Sequence, residues 1–398
     1  MLATVAAAGW SLAPGQILDV QEGALFSPDQ IRREATLLFE GFPDPEPALP
    51  VATFRLRFRS TDADGSDATV YAQLFVPIPD TRRSLPIMVF GSGTTGIGDH
   101  CAPSREQPHL VRWGYYRANM LAYASRGFIT IFPDYLGFND EARPQRYFSK
   151  LAEGYAMLDA ARAAFQFFET DAGNARPARP ARQVFTNGYS QGGHAAFAAA
   201  DLLQDYAPEV PLVGAIGIGT TNDVARLFRE GPPYAPYIMY TYQQLYGSEE
   251  IDPSRYLRDE YSGDLDDVVA RMCVDTFQRH FPWEAAGLFR PEFRAALFGG
   301  TLSERFPALA TRIAENNTGL TGHGVPGLIL QGTEDWIART GSQTDFVAAL
   351  RSSGSAVRYI KMAGISHRHS RAAGFEASVE WMLWLAGGGP PPNDTIEA

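Results

Sequence analysis

Apolar and polar positions change period several times along this 398-residue chain, and each change marks an element. Val51 to Ser60 and Thr69 to Val76 alternate apolar with polar residues, with Asp62-Ala63-Asp64-Gly65 between them. A strand sends successive side chains to opposite faces, so the pair predicts an antiparallel hairpin. Leu85 to Phe90, Phe128 to Pro133, Gln183 to Asn187, Leu212 to Ile218, Gly327 to Gly332 and Ala356 to Lys361 are short apolar runs that predict buried strands. Tyr116 to Ser125, Leu151 to Phe168 and Ser342 to Ser352 between them suit helices, as does Ser27 to Phe39 ahead of the Pro-rich stretch at 41–47. Strand and helix in alternation predict a mostly parallel sheet flanked by helices.

The alternation breaks once. Between Ile218 and Leu328 lie about a hundred residues, far beyond an ordinary loop. They are rich in helix-compatible and aromatic residues, among them Tyr237, Tyr240, Tyr242, Phe277, Phe281, Trp283 and Phe289. The expected organisation is an α/β core at 51–220 and 325–386, a helical cap inserted at 221–324, an N-terminal extension at 1–50 and a flexible tail at 387–398. The tail reading rests on Gly387-Gly388-Gly389-Pro390-Pro391-Pro392.

One stretch carries chemistry. Gly188-Tyr189-Ser190-Gln191-Gly192 follows the apolar run Val184-Phe185-Thr186-Asn187 and precedes a small-residue helix rich in alanine. Strand, sharp turn and helix make a nucleophile elbow, with Ser190 at its tip and glycines where backbones approach closely. The alternative is a serine that simply caps a structural helix. A serine hydroxyl needs a base, and the base needs an orienting carboxylate. On this topology they follow in the order acid, then histidine. Asp335 lies just past the strand Gly327 to Gly332 and is the expected acid, with Glu334 the alternative. His367, first after the turn at Gly364, is the expected base, with His369 the alternative. The oxyanion donors are assigned to the N–H of Gln191 and, from Gly91-Ser92-Gly93-Thr94-Thr95-Gly96, to Thr94 with Thr95 next. Tyr189, Thr95, Tyr237, Met239 and Tyr240 are the expected substrate contacts, the last three lining an acyl tunnel through the cap. His194, one turn into the elbow helix, is expected to pack or bond locally. His100, His109, His280 and His323 offer no metal-ligand spacing, so neither metal nor cofactor is expected.

Composition narrows the partners. A net charge of −11 disfavours nucleic acid, and no run approaches the ~18 apolar residues of a membrane span. Met1 to Gly9 is Ala-rich but lacks the basic start and length of a signal peptide. Two cysteines are present, Cys101 and Cys273, which on spacing alone could be free thiols or a bridge.

Three segments together resemble the secretory lipase family: the run from Gly93 to Ser104 with its Cys-Ala-Pro-Ser element, Phe132-Pro133-Asp134-Tyr135-Leu136-Gly137, and Gly188 to Ala195. The resemblance covers about Val51 to Leu385. It implies an α/β-hydrolase fold with a helical cap, action on small-molecule or lipid carboxylic esters without a cofactor, a Cys101–Cys273 disulfide tying core to cap, and export. The chain departs from the family in having no second disulfide and in placing Gly-Thr-Thr where some members carry an oxyanion-loop aspartate. Both departures favour a broad carboxylesterase over an interfacial lipase. A peptidase or amidase using the same triad, or a non-catalytic binding protein, are the alternatives.

Overall fold

Ten strands form one sheet in the order β1-β2-β3-β5-β4-β6-β7-β8-β9-β10. They are β1 (Ile17–Phe26), β2 (Val51–Thr61), β3 (Asp67–Pro77), β4 (Arg83–Gly91), β5 (Ile129–Pro133), β6 (Ala178–Tyr189), β7 (Leu212–Ile218), β8 (Gly327–Gly332), β9 (Val357–Met362) and β10 (Thr395–Glu397). The computed structural model describes residues 13–108, 110–140 and 143–398; the Ala-rich start Met1 to Gly9 and His109 lie outside them. The first three strands pair antiparallel, β3 meets β5 antiparallel, and every pairing from β5 to β10 is parallel.

Alternation along the strands divides the core. On β4, Leu85, Ile87 and Val89 face one layer, with the helices Lys150–Phe167 and Gln191–Tyr206, while Met88 and Phe90 face the other, with Tyr116–Ser125 and Phe375–Ala386. This sandwich is the α/β-hydrolase architecture anticipated from the sequence. A third core belongs to the segment between β7 and β8, where the helices Val224–Glu230, Ala235–Tyr246, Val274–His280, Pro291–Gly299 and Pro307–Glu315 pack Phe228, Tyr237, Met239, Phe277, Phe289 and Phe293 together.

Two ends differ from expectation. In the N-terminal extension, β1 adds an edge strand; its mostly exposed pattern hides the alternation that would have announced it. The helix after it, Pro28–Ala35, is shorter than the span expected and starts at a capping box: Gln30 N donates to Ser27 Oγ (3.3 Å) and Ser27 N to Gln30 Oε1 (2.8 Å). The tail is not a flexible end, because β10 pairs with β9 and is clamped by Arg358–Asp394 (2.7 Å) and Lys361–Glu397 (2.8 Å). The Gly-Pro run only turns the chain there, and the charged residues beyond it find partners along β9.

Cys101 and Cys273 form a disulfide across 172 residues, joining the loop after β4 to the start of the cap helix Val274–His280. Beside it Val274 N donates to Thr95 O (2.9 Å). Closing so long a loop is worth roughly 4–5 kcal/mol in the chain-entropy account. Cys273→Ser is therefore expected to lower the urea midpoint substantially, and a non-reduced digest of the parent protein to yield Cys101 and Cys273 peptides linked. An unchanged midpoint would refute the stabilising role.

Asp134, at the end of β5, is fully buried and accepts Ser104 N (2.9 Å), Ser104 Oγ (2.5 Å) and Asn139 Nδ2 (3.0 Å). Desolvation outweighs these bonds and pushes its carboxyl from 3.8 to about 6. The folded state then holds this proton more tightly than the unfolded chain. Its contribution is fully present below about pH 4 and is lost as pH rises to about 6. In urea titrations across that window, the stability difference between parent and Asp134→Asn should move in favour of the variant. A difference independent of pH would show that the carboxyl keeps its ordinary affinity.

Candidate active site

Ser190 stands between β6 and the helix Gln191–Tyr206 with φ 55° and ψ −116°. A left-handed φ on a non-glycine residue is strained, and here the surroundings impose it. A Cβ on Gly188 would lie 1.9 Å from Gly192 O, and one on Gly192 would lie 1.9 Å from Gly91 O. Only bare backbone lets β4, β6 and the helix meet this closely, and the buried serine at the apex lines a cavity. Ser190 N continues the ladder to Ile218 O (2.9 Å), which anchors the strained residue to β7.

The expected acid and base, Asp335 and His367, follow the ends of β8 and β9. His367 Nδ1 lies 2.6 Å from Asp335 Oδ2. Asp335 Oδ1 accepts Ile337 N (3.0 Å) and Ala338 N (2.8 Å), so its carboxylate is held by its own turn. Gly219, at the exit of β7 with φ +52°, makes room for the pair: a Cβ there would sit 3.0 Å from both Asp335 Oδ2 and His367 Nδ1. The two alternatives are elsewhere. Glu334 is exposed, and His369 is exposed with its Nδ1 2.9 Å from Ser366 Oγ.

Ser190, His367, Thr94 and Tyr189 share one cavity of about 490 Å³, walled also by Trp113, Tyr234, Trp283, Trp336 and Ile337. Thr94 Oγ1 meets Tyr147 OH at 2.7 Å, which fixes the loop after β4 from behind. Tyr147 is fully buried, and desolvation pushes its phenol upward, so it stays a neutral partner. Gln191 is the first residue of the elbow helix, where a backbone N–H has no carbonyl within the helix to donate to. The Tyr189 ring lies 4.9 Å from the His367 imidazole, centroid to centroid.

Three of the expected substrate contacts are placed elsewhere. Tyr237 is buried in the cap core, donates to Met272 O (2.6 Å) and packs on Phe277. Met239 is fully buried in the same cluster and Tyr240 packs against it. None of the three lines the cavity of Ser190. Thr95 is buried and spends its carbonyl on Val274 N.

Sequence reading missed what stands behind the elbow. Gln191 Nε2 donates to Glu153 Oε1 (2.7 Å), and Phe148 N donates to the same oxygen (2.9 Å). Glu153 Oε2 faces His194 Nδ1 at 2.6 Å, and His194 Nε2 donates to Asn316 O (2.7 Å). His194 therefore bonds far along the chain rather than locally, linking the elbow helix to the exit of the cap. A glutamate within the apolar face of Lys150–Phe167 was the available signal, since buried carboxylates need partners.

Comparison with known proteins gives the family and the fold. The secretory lipase family matches residues 117–384. Lipase A of Moesziomyces aphidis is 26% identical over 203 residues, 47% of this chain and 40% of its own length. A protein of Mycobacterium tuberculosis described as a "probable inactive lipase" is 26% identical over 186 residues, 45% of this chain and 39% of its own. The chain thus matches well under half the length of either curated relative. Among solved structures, the rice cell wall degrading esterase LipA from Xanthomonas oryzae superposes with a TM-score of 0.72 at 18% identity, covering 94% of this chain and 98% of that one. Candida antarctica lipase A in its closed state gives 0.69 at 19%, covering 97% and 86%. At such identities these two show a shared fold.

Proposed function

The chain belongs to the secretory lipase family, and from that premise we propose that it hydrolyses carboxylic esters through an acyl-Ser190 intermediate. The observation that carries the proposal is the convergence of three strand ends on one cavity, with Ser190 and His367 in its wall and Asp335 bonded behind the imidazole. Ser190 Oγ attacks the ester carbonyl while its proton passes to His367 Nε2. The N–H groups of Gln191 and Thr94 receive the developing oxyanion. Collapse expels the alcohol, which takes the proton from His367. Water then attacks the acyl-enzyme by the same route, releasing the acid and free Ser190. Asp335 holds Nδ1–H, which keeps Nε2 as the proton acceptor.

The cap supports a broad esterase. With Tyr237 and Met239 packed in its core, the cavity over Ser190 is walled by Trp113, Tyr234, Trp283 and Trp336 rather than by a tunnel through the helices. The Cys101–Cys273 bond supports an oxidising compartment, hence an exported enzyme. Among the described residues no helix is long and apolar enough to cross a membrane.

The test sets p-nitrophenyl butyrate beside an aminoacyl p-nitroanilide. Turnover of the ester alone is expected. Turnover of the anilide alone would reassign the triad to amide cleavage, and turnover of neither would leave the site a binding cleft.

A further inference from the structure

Arg371 is almost fully buried, at 3% exposure, and lies four residues beyond His367. Its guanidinium is stacked over Tyr189 (4.6 Å to the centroid) and Tyr116 (5.1 Å) and donates to Gly114 O, while its Nε has no partner. Among the described residues no carboxylate forms an ion pair with it. Burying a charge costs free energy unless it is paired, and two aromatic faces and one carbonyl compensate only partly. The structure gives a reason to keep the charge there. Arg371 lines a cavity of about 310 Å³ together with Arg112, Arg368, His369 and a single acid, Glu40. That cavity adjoins the one over Ser190, because Arg112, Trp113 and Arg368 wall both. On the far side of Ser190 the cap contributes Arg279, again with a single acid, Asp275. Arg279 and Arg368 make no ion pair among the described residues, so their charge is left for the cleft they line. A cleft in which arginines outnumber acids, in a chain of net charge −11, concentrates anions at its mouth.

We propose that Arg112, Arg368 and the buried Arg371 form a subsite for a carboxylate carried by the substrate, so that the preferred substrates are esters with a second, ionised acid group. The proposal rests on the ester-hydrolase reading of Ser190 and deepens it. The carboxylate supplies Arg371 with the counter-ion that the fold omits, and the exposed Arg112 and Arg368 close on it from the cavity wall. Planar guanidinium groups suit such a group because they can donate two parallel N–H bonds to it.

The experiment compares pairs that differ by one carboxylate group: monomethyl adipate against methyl hexanoate for an acid on the acyl side, and 4-carboxyphenyl butyrate against phenyl butyrate for one on the alcohol side. The anionic member of at least one pair should show kcat/KM about tenfold higher, the scale of one charge-assisted hydrogen-bond pair. The ratio should fall towards one in Arg368→Gln and Arg112→Gln, and also as sodium chloride is raised through the range where the screening length drops below about 8 Å. Arg371→Gln also removes the stacking on Tyr189 and Tyr116, so the two exposed arginines decide the test. Hydrolysis of the neutral esters with no anionic preference in either pair would overturn the subsite and leave the esterase reading standing. A preference untouched by both substitutions would overturn the assignment to these arginines. Hydrolysis of none of the four esters would remove the esterase reading and the subsite with it.

Discussion

Replacing Ser190 with alanine is expected to lower kcat for ester hydrolysis by about six orders of magnitude, the scale seen when a triad nucleophile is removed, with the thermal transition unchanged. The backbone at residue 190 is fixed by its bond to Ile218 O and by the close approach of Gly188, Gly192 and Gly91, none of which involves the hydroxyl. The change deletes one oxygen from a cavity wall and nothing from the core. Activity is measured against circular dichroism melting on the same preparation. Substantial turnover in a folded Ser190→Ala protein would move the nucleophile elsewhere.

Asp335→Asn should cost up to about 10⁴ in kcat, the loss known for the same replacement in a serine protease. The reason is the direction of one hydrogen bond. Asn can keep Oδ1 on Ile337 N and Ala338 N, so the turn holds its shape. Its NH₂ then replaces the oxygen 2.6 Å from His367 Nδ1 and donates where the carboxylate accepted. The imidazole must carry its proton on Nε2, which is the atom that has to take the proton of Ser190. Glu334→Gln, on an exposed side chain, should leave kcat within about twofold, as expected for a surface change away from the machinery. Reversal of the two results would transfer the acid role by one residue.

How much of this could be read from the chain follows from the range of the signal. The elbow is local: a strand, five residues with two glycines and a helix, all within some twenty positions, so Ser190 and its turn stood out before any coordinates. Asp335 and His367 were reachable because a parallel sheet delivers successive strand ends to one side, which turned chain order into proximity. The choice between Asp335 and Glu334, or between His367 and His369, is an orientation within a turn, and periodicity has no information on that. Tyr237 and Met239 illustrate the opposite limit. Aromatic and apolar residues in a cap look the same whether they wall a cavity or fill a core, and here they fill it. Arg371 was hidden for a third reason, and Glu153 showed only its place on an apolar helix face. Their meaning lies in burial and in partners, Gly114 for Arg371 and His194 for Glu153, which lie 257 and 41 residues away. Strand β10 was missed because three residues, of which Glu397 is held by an ion pair to Lys361, are too few to show an apolar pattern.

The central claim is that Ser190 is a nucleophile activated by His367, and covalent trapping addresses it without assuming a substrate. Incubation of the folded protein with a fluorophosphonate probe, followed by intact-mass and peptide analysis, should give one adduct on the peptide containing Ser190. The adduct should be absent in Ser190→Ala and form far more slowly in His367→Ala, while His369→Ala labels at nearly the parent rate. A folded protein that takes up no probe, or carries it on another residue, would contradict the account.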